Sequence, residues 1–80
     1  MKHTHDLPQR NLIGRRLRQI RLACSPSVTL EDLAGRLAAR GLRLDRSAIG
    51  RIENQNRYVL DYELKALADA LRVQVSDFFR

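Results

Sequence analysis

The sequence predicts a compact all-α domain of four to five short helices. Apolar residues recur at spacings of three and four over several stretches, which is the period of an amphipathic helix. No stretch alternates between apolar and polar residues for long enough to indicate a β-strand. Breaks at residues 25–27 (Ser-Pro-Ser) and at Gly41 divide the chain into segments of helical length.

The composition limits what such a domain can be. With 80 residues and one cysteine, Cys24, the chain forms one small domain without an internal disulfide. The formal net charge is +6, and 13 of the 15 basic residues are arginine. Residues 1–59 carry 12 basic and 5 acidic side chains, whereas residues 60–80 carry 3 and 4. This asymmetry suits a polyanion such as nucleic acid, bound on one side of the domain.

Several classes of protein are disfavoured. No apolar run approaches the ~20 residues of a membrane helix, and residues 1–10 lack the apolar segment of a signal peptide. We therefore expect a cytoplasmic protein without a membrane partner. His3 and His5 could suggest a metal site, but a flexible lead-in over residues 1–10, before a domain at 11–80, is the preferred interpretation. We also expect no enzyme activity, metal, cofactor or small-molecule effector, since no catalytic constellation or sensor domain is evident.

The first two helices have clear patterns. The first should begin between residues 8 and 11 and end at Ala23. Its apolar stripe has spacings of four, three and four: Ile13, Leu17, Ile20 and Cys24. The second begins after Thr29, whose capping box is completed by Asp32, and stops at Gly41. Its expected buried face comprises Leu30, Leu33, Ala34, Leu37 and Ala38.

The third helix is unusually polar. Asp45 is its expected N-cap, and the helix should extend to Gln55. Three residues form a narrow apolar face: Ala48, Ile49 and Ile52. About two-thirds of the helix surface must therefore face solvent or a polar partner. A helix with so little core and so many hydrogen-bonding groups suggests a recognition surface.

The end of the chain is predicted to close the core. A fourth helix begins near Asp61, and its apolar stripe comprises Leu64, Leu67, Ala68 and Leu71. Ser76 is expected to cap a last short turn. Phe78 and Phe79 cannot both point inward on so short a helix, so one of them is available for a dimer contact.

Two helices joined by a short, glycine-containing turn, the second of them polar, form the layout of DNA-binding helix-turn-helix proteins. Over residues 13–79 the chain resembles the lambda-repressor-like (Cro/CI, or XRE-type) helix-turn-helix family. The segments that carry the resemblance are IGRRLR (13–18), TLEDLA (29–34), DRSAIGRIE (45–53) and DYELKALADAL (61–71), followed by the closing segment 73–79. The resemblance implies a sequence-specific DNA-binding transcriptional regulator of the repressor type.

The resemblance also implies roles for individual residues. Arg46, Ser47 and Arg51 match the positions that contact bases, and Arg51 suits a bidentate contact with guanine. Glu53 matches an acid that pairs with an arginine of the first helix, here Arg21. Asn54 and Arg57 resemble positions that contact phosphate. Further phosphate contacts are expected from three arginines that the resemblance does not assign: Arg43, Arg40 and Arg16.

Three departures from the family pattern stand out. Leu30 replaces a glutamine that contacts phosphate in many members, and the stretch 34–45 is several residues longer than in short members. Gln55 replaces the usual glycine, so either the helix ends later or Gln55 adopts a left-handed conformation that costs about 1 kcal/mol. Gly50 has two open interpretations, close approach of the helix to DNA or a tolerated substitution.

Two functions remain open from the sequence. The first is a homodimeric regulator that binds double-stranded DNA at a two-fold site. The alternative is an antitoxin-like or regulatory module that uses the same fold to hold another protein. The arginines at positions 46 and 51, which flank the small Ser47 and Gly50, favour the first function.

Overall fold

The structure, a computed structural model, describes residues 9–80, and these residues form helices without any strand. The elements are α1 (Gly14–Ala23), α2 (Leu30–Ala39), α3 (Arg46–Glu53), α4 (Asp61–Leu71) and a closing 3₁₀ helix (Val75–Phe79). The predicted all-α class is confirmed. None of these helices is long and apolar enough to cross a bilayer. His3, His5 and most of the expected lead-in lie outside the described residues, so what the sequence predicts for them stays a prediction.

One hydrophobic core unites all five elements. α1 packs against α3 and the 3₁₀ helix, while α2 packs against α3 and α4. α3 is therefore held from two sides, and its remaining surface faces outward. The core is formed by Ile13, Leu17, Ile20, Val28, Leu33, Leu37, Leu44, Ala48, Ile49, Ile52, Leu67, Ala68, Ala70, Leu71 and Phe78.

α1 begins at Gly14, later than the predicted start between residues 8 and 11. The reason is the side chain of Asn11, whose Oδ1 accepts hydrogen bonds from the N–H groups of Ile13 (3.0 Å) and Gly14 (2.8 Å). These groups would otherwise lack partners at the helix start. The Asn11 amide in turn donates to the carbonyl oxygens of Ile52 and Arg57. Asn11 thus joins the start of α1 to the end of α3.

α2 lies between its predicted N-cap, Thr29, and its predicted stop, Gly41. The Thr29 hydroxyl accepts from the Asp32 N–H at 2.9 Å, and the Asp32 carboxylate accepts from the Thr29 N–H at 3.1 Å. Gly41 follows the helix with a φ of 83°, as a glycine stop requires. The predicted burial of Ala38 is wrong, because Ala38 lines an open groove beside Arg43.

α3 begins at its predicted cap but is shorter than predicted. The Asp45 carboxylate accepts a hydrogen bond from the Ala48 N–H at 2.8 Å. The helix ends at Glu53 rather than Gln55, because Gln55 adopts a left-handed conformation with φ of 62°. The Asn56 N–H then bonds back to the Arg51 carbonyl at 2.8 Å. Of the two alternatives for Gln55, the left-handed conformation is therefore confirmed.

The end of the chain separates the two phenylalanines. Phe78 is 1% exposed and completes the core, whereas Phe79 is 55% exposed. The prediction that only one points inward is confirmed. Ser76 is not the cap of the last turn: the 3₁₀ helix begins at Val75, and the Asp77 carboxylate accepts from the Gln74 N–H at 2.9 Å.

Candidate nucleic-acid interface

The outward side of α3 is a continuous polar face. At 100° per residue, Arg46, Ser47, Gly50, Arg51 and Asn54 fall within an arc of about 140°. All are exposed except Gly50, which is half-buried. The opposite side holds the buried residues of the helix: Ala48, Ile49, Ile52 and Glu53. The three side chains that the resemblance assigns to base contacts therefore share one accessible face, which we call the α3 polar face.

The arginines of the α3 polar face keep their charge available. Within residues 9–80, the side chains of Arg46 and Arg51 form no ion pair or hydrogen bond. Nearby carboxylates are occupied, because Asp45 caps α3 and Glu53 binds Arg21. The face therefore presents guanidinium groups that a polyanion or a base edge can reach.

A buried ion pair holds α3 to α1, as expected for Arg21 and Glu53. The Arg21 guanidinium donates to the Glu53 carboxylate at 2.6 and 2.9 Å and to the Val28 carbonyl at 2.8 Å. The two side chains are 8% and 5% exposed. The hydrogen bonds to Glu53 raise the pKa of Arg21 above its usual value, so the guanidinium stays charged. Two-point geometry of this kind fixes orientation as well as distance.

Gly14 permits a close contact that the sequence analysis missed. A Cβ atom at position 14 would overlap the Ile52 carbonyl oxygen and lie 2.9 Å from the Glu53 carbonyl oxygen. The first turn of α1 can therefore pack against the backbone of the last turn of α3 only because residue 14 has no side chain. A glycine at the start of an otherwise good helix was the available signal.

Three predicted phosphate ligands have partners inside the fold. Arg57 donates to both carboxylate oxygens of Glu63, at 2.9 and 3.0 Å. The Arg16 Nε donates to the Asp77 carbonyl at 3.1 Å. Arg40 donates to the backbone carbonyls of Arg36 (3.0 Å) and Asp69 (3.4 Å). Their contacts with phosphate stay predictions. To bind a phosphate, each of these arginines would have to release or share its present hydrogen-bond partner.

Glu63 was also missed as a structural residue. It is buried, and it accepts hydrogen bonds from Arg57 and from the Leu60 N–H at 3.0 Å, at the start of α4. The side-chain bond to Arg57 is the main reason that the pKa of Glu63 lies below its usual value, and it likewise raises the pKa of Arg57. A glutamate at the third position of a helix was the available signal.

A groove adjoins the α3 polar face. It runs between α1 and the end of α3, has a volume of about 460 Å³, and is open to solvent. We call it the α1–α3 groove, and it is lined by Arg15, Arg18, Gln19, Leu22, Glu53, Asn54 and Gln55. Asn54 belongs to both the groove and the polar face. Arg43, the remaining predicted phosphate ligand, is exposed and lines a different groove beside α2.

A separate apolar patch includes the last residue of the 3₁₀ helix. Leu12 is 77% exposed and Tyr58 and Phe79 are more than half exposed. These three side chains line one shallow groove together with Val59 and Leu64, and we call them the Leu12–Tyr58–Phe79 patch. The Arg10 guanidinium lies 5.4 Å from the centre of the Tyr58 ring, where a cation is attracted to the aromatic face.

No family model, curated protein or solved structure matches the chain. Among residues 9–80, no group of three or more histidine, cysteine, aspartate or glutamate side chains is arranged to hold a metal ion.

Proposed function

We propose that this protein is a sequence-specific, DNA-binding transcriptional regulator of the repressor type, and that it inserts α3 into the major groove. The observation that carries the proposal is the α3 polar face, where two arginines without partners among residues 9–80 flank small residues on one side of a rigidly held helix. We also propose that the protein is cytoplasmic, as the sequence predicts.

The dimensions of α3 suit this role. An α-helix with its side chains is about 10–12 Å across, and the major groove, about 12 Å wide, admits one α-helix. Arg46, Ser47 and Arg51 would contact base edges, while Asn54 and Arg43 would contact phosphates. α2, the turn over residues 40–45 and α3 would form the helix-turn-helix of a lambda-repressor-like domain.

We further propose that the protein acts as a homodimer on a two-fold DNA site, with half-sites about 34–36 Å apart. Phe79 supports the dimer, because it points away from the core next to the exposed Leu12. In sedimentation at micromolar concentration, wild type is expected to be dimeric and Phe79→Ser monomeric. A wild-type monomer that binds DNA one-to-one would contradict the symmetric model.

The alternative function, a module that holds another protein, is favoured by the same Leu12–Tyr58–Phe79 patch, since a protein partner could cover it. The two functions differ in what the α3 polar face must do. A protein-holding module without DNA binding would lose nothing when Arg46 and Arg51 are replaced by alanine, whereas the regulator would lose its DNA site.

Selection of bound sequences from a random double-stranded DNA library tests the proposal. We expect enrichment of one motif with two-fold symmetry, and loss of that enrichment in the variant Arg46→Ala/Arg51→Ala. A control variant, Lys65→Gln, changes an exposed side chain of α4 and should select the wild-type motif. A library that shows no enrichment with folded wild-type protein would overturn the proposal.

A further inference from the structure

The α1–α3 groove contains two arginines for which the proposed function gives no role. Arg15 and Arg18 lie three residues apart on α1, so they face the same side of the helix. Both are exposed, and neither forms an ion pair or hydrogen bond with another residue in the range 9–80. They contrast with Arg16, which turns to the Asp77 carbonyl, and Arg21, which is buried against Glu53.

The surroundings of these two arginines leave their charge uncompensated. α1 contains no acidic residue, and the one carboxylate that lines the groove, Glu53, is already bound at two points by Arg21. Like charges one turn apart destabilise a helix when nothing neutralises them. The groove is thus a site where an anion would be attracted by two guanidinium groups and repelled by no free carboxylate.

The groove adjoins the α3 polar face and lies beside a close contact of two helix backbones. Gly14 brings the backbones of α1 and α3 together, so the width of the groove depends on a close-packed contact. Asn54 lines the groove and also ends the α3 polar face. A duplex whose major groove received α3 would therefore carry one of its strands past Arg15 and Arg18.

We propose that the α1–α3 groove binds a backbone phosphodiester of double-stranded DNA through Arg15 and Arg18, with the Asn54 amide as a third donor. Guanidinium groups suit this ligand because their paired N–H groups match the geometry of phosphate oxygens. The inference rests on the proposed function and deepens it, since it extends the contacted surface from α3 to α1.

The test compares two variants that lose the same charge. In Arg15→Gln/Arg18→Gln the groove loses both guanidinium groups. In Lys65→Gln/Arg72→Gln two positive charges are removed from α4 and its C-terminal cap, at residues that do not line the groove. Binding of each to a 20-base-pair duplex of mixed sequence is measured by fluorescence anisotropy as a function of salt. Circular dichroism melting verifies that both variants are folded.

We expect the groove variant to lower the slope of log affinity against log salt by about two, with a loss of about 10- to 100-fold in affinity near 0.1 M salt. The α4 variant should keep nearly the wild-type slope. A wild-type slope in the groove variant, or an equal fall in both variants, would overturn the phosphate site and leave the proposed function standing. Wild-type protein that binds no duplex would overturn both.

Discussion

The Glu53 carboxylate accepts two hydrogen bonds from the Arg21 guanidinium, at 2.6 and 2.9 Å, and so joins the last turn of α3 to α1. Both side chains are buried. Because a third bond links Arg21 to the Val28 carbonyl, the same guanidinium also holds the segment that leads into α2. The angle at which α3 is presented to solvent therefore depends on this pair.

Removing one partner of this pair should be costly. We expect Glu53→Gln to lower the free energy of unfolding by about 3–5 kcal/mol, because it leaves the buried Arg21 charge unpaired. Urea denaturation measures the change. The control is Lys65→Gln, which breaks the exposed pair of Lys65 with Asp69 and should cost less than about 1 kcal/mol. Similar losses in the free energy of unfolding for the two variants would show that the buried pair is not a structural link.

Gly14 and Gly35 form a matched comparison. Gly14→Ala should destabilise the fold by about 2 kcal/mol or more, since its Cβ would overlap the Ile52 carbonyl and the two helices would have to separate. Gly35→Ala should stabilise it by up to about 1 kcal/mol, because nothing lies within 4 Å of the added Cβ and alanine favours the helix. Thermal denaturation of both variants checks this, and a Gly14→Ala protein as stable as wild type would contradict the close packing of α1 on α3.

Glu63 should make stability depend on pH. Its bond to Arg57 places its pKa in the folded protein below the unfolded value, so its contribution is present near neutral pH and is lost as the pH falls through the folded pKa. We expect Glu63→Gln to be less stable than wild type by about 1–3 kcal/mol at pH 7. The difference should shrink below about pH 4.

Urea denaturation of both proteins from pH 7 to pH 3 measures this difference. Asp69→Asn is a suitable control, because Asp69 pairs with Lys65 on the surface and its removal should change stability little at any pH. A stability difference between wild type and Glu63→Gln that does not change with pH would contradict the assigned ion pair.

Local signals in the sequence predicted most of the fold. The capping box of Thr29 and Asp32, the Asp45 cap and the Gly41 stop each involve residues within four positions of one another, so their chemistry can be recognised without a structure. The end of α3 could not be decided in this way. It depends on the conformation of Gln55, whose side chain bonds to the Asn11 carbonyl 44 positions away.

The candidate site was only partly predictable. The polarity of α3 indicated its exposed face, and a resemblance supplied the pair of Arg21 with Glu53. The sequence could not distinguish an arginine with an internal partner from one without. Arg57 was expected to contact phosphate and Arg15 was given no role, yet Arg57 is bound to Glu63 while Arg15 lines an open groove. That difference arises from helix packing, which brings together residues that local patterns do not connect.

The central claim is that the α3 polar face reads DNA sequence. The most direct test is the effect of Arg51→Ala on binding to two duplexes of equal length. One duplex contains the site selected from the random library, and the other has mixed sequence. We expect Arg51→Ala to weaken binding to the selected site by about 1–3 kcal/mol while hardly changing binding to mixed sequence, because the lost contact is with a base edge. An equal loss on both duplexes would contradict the claim.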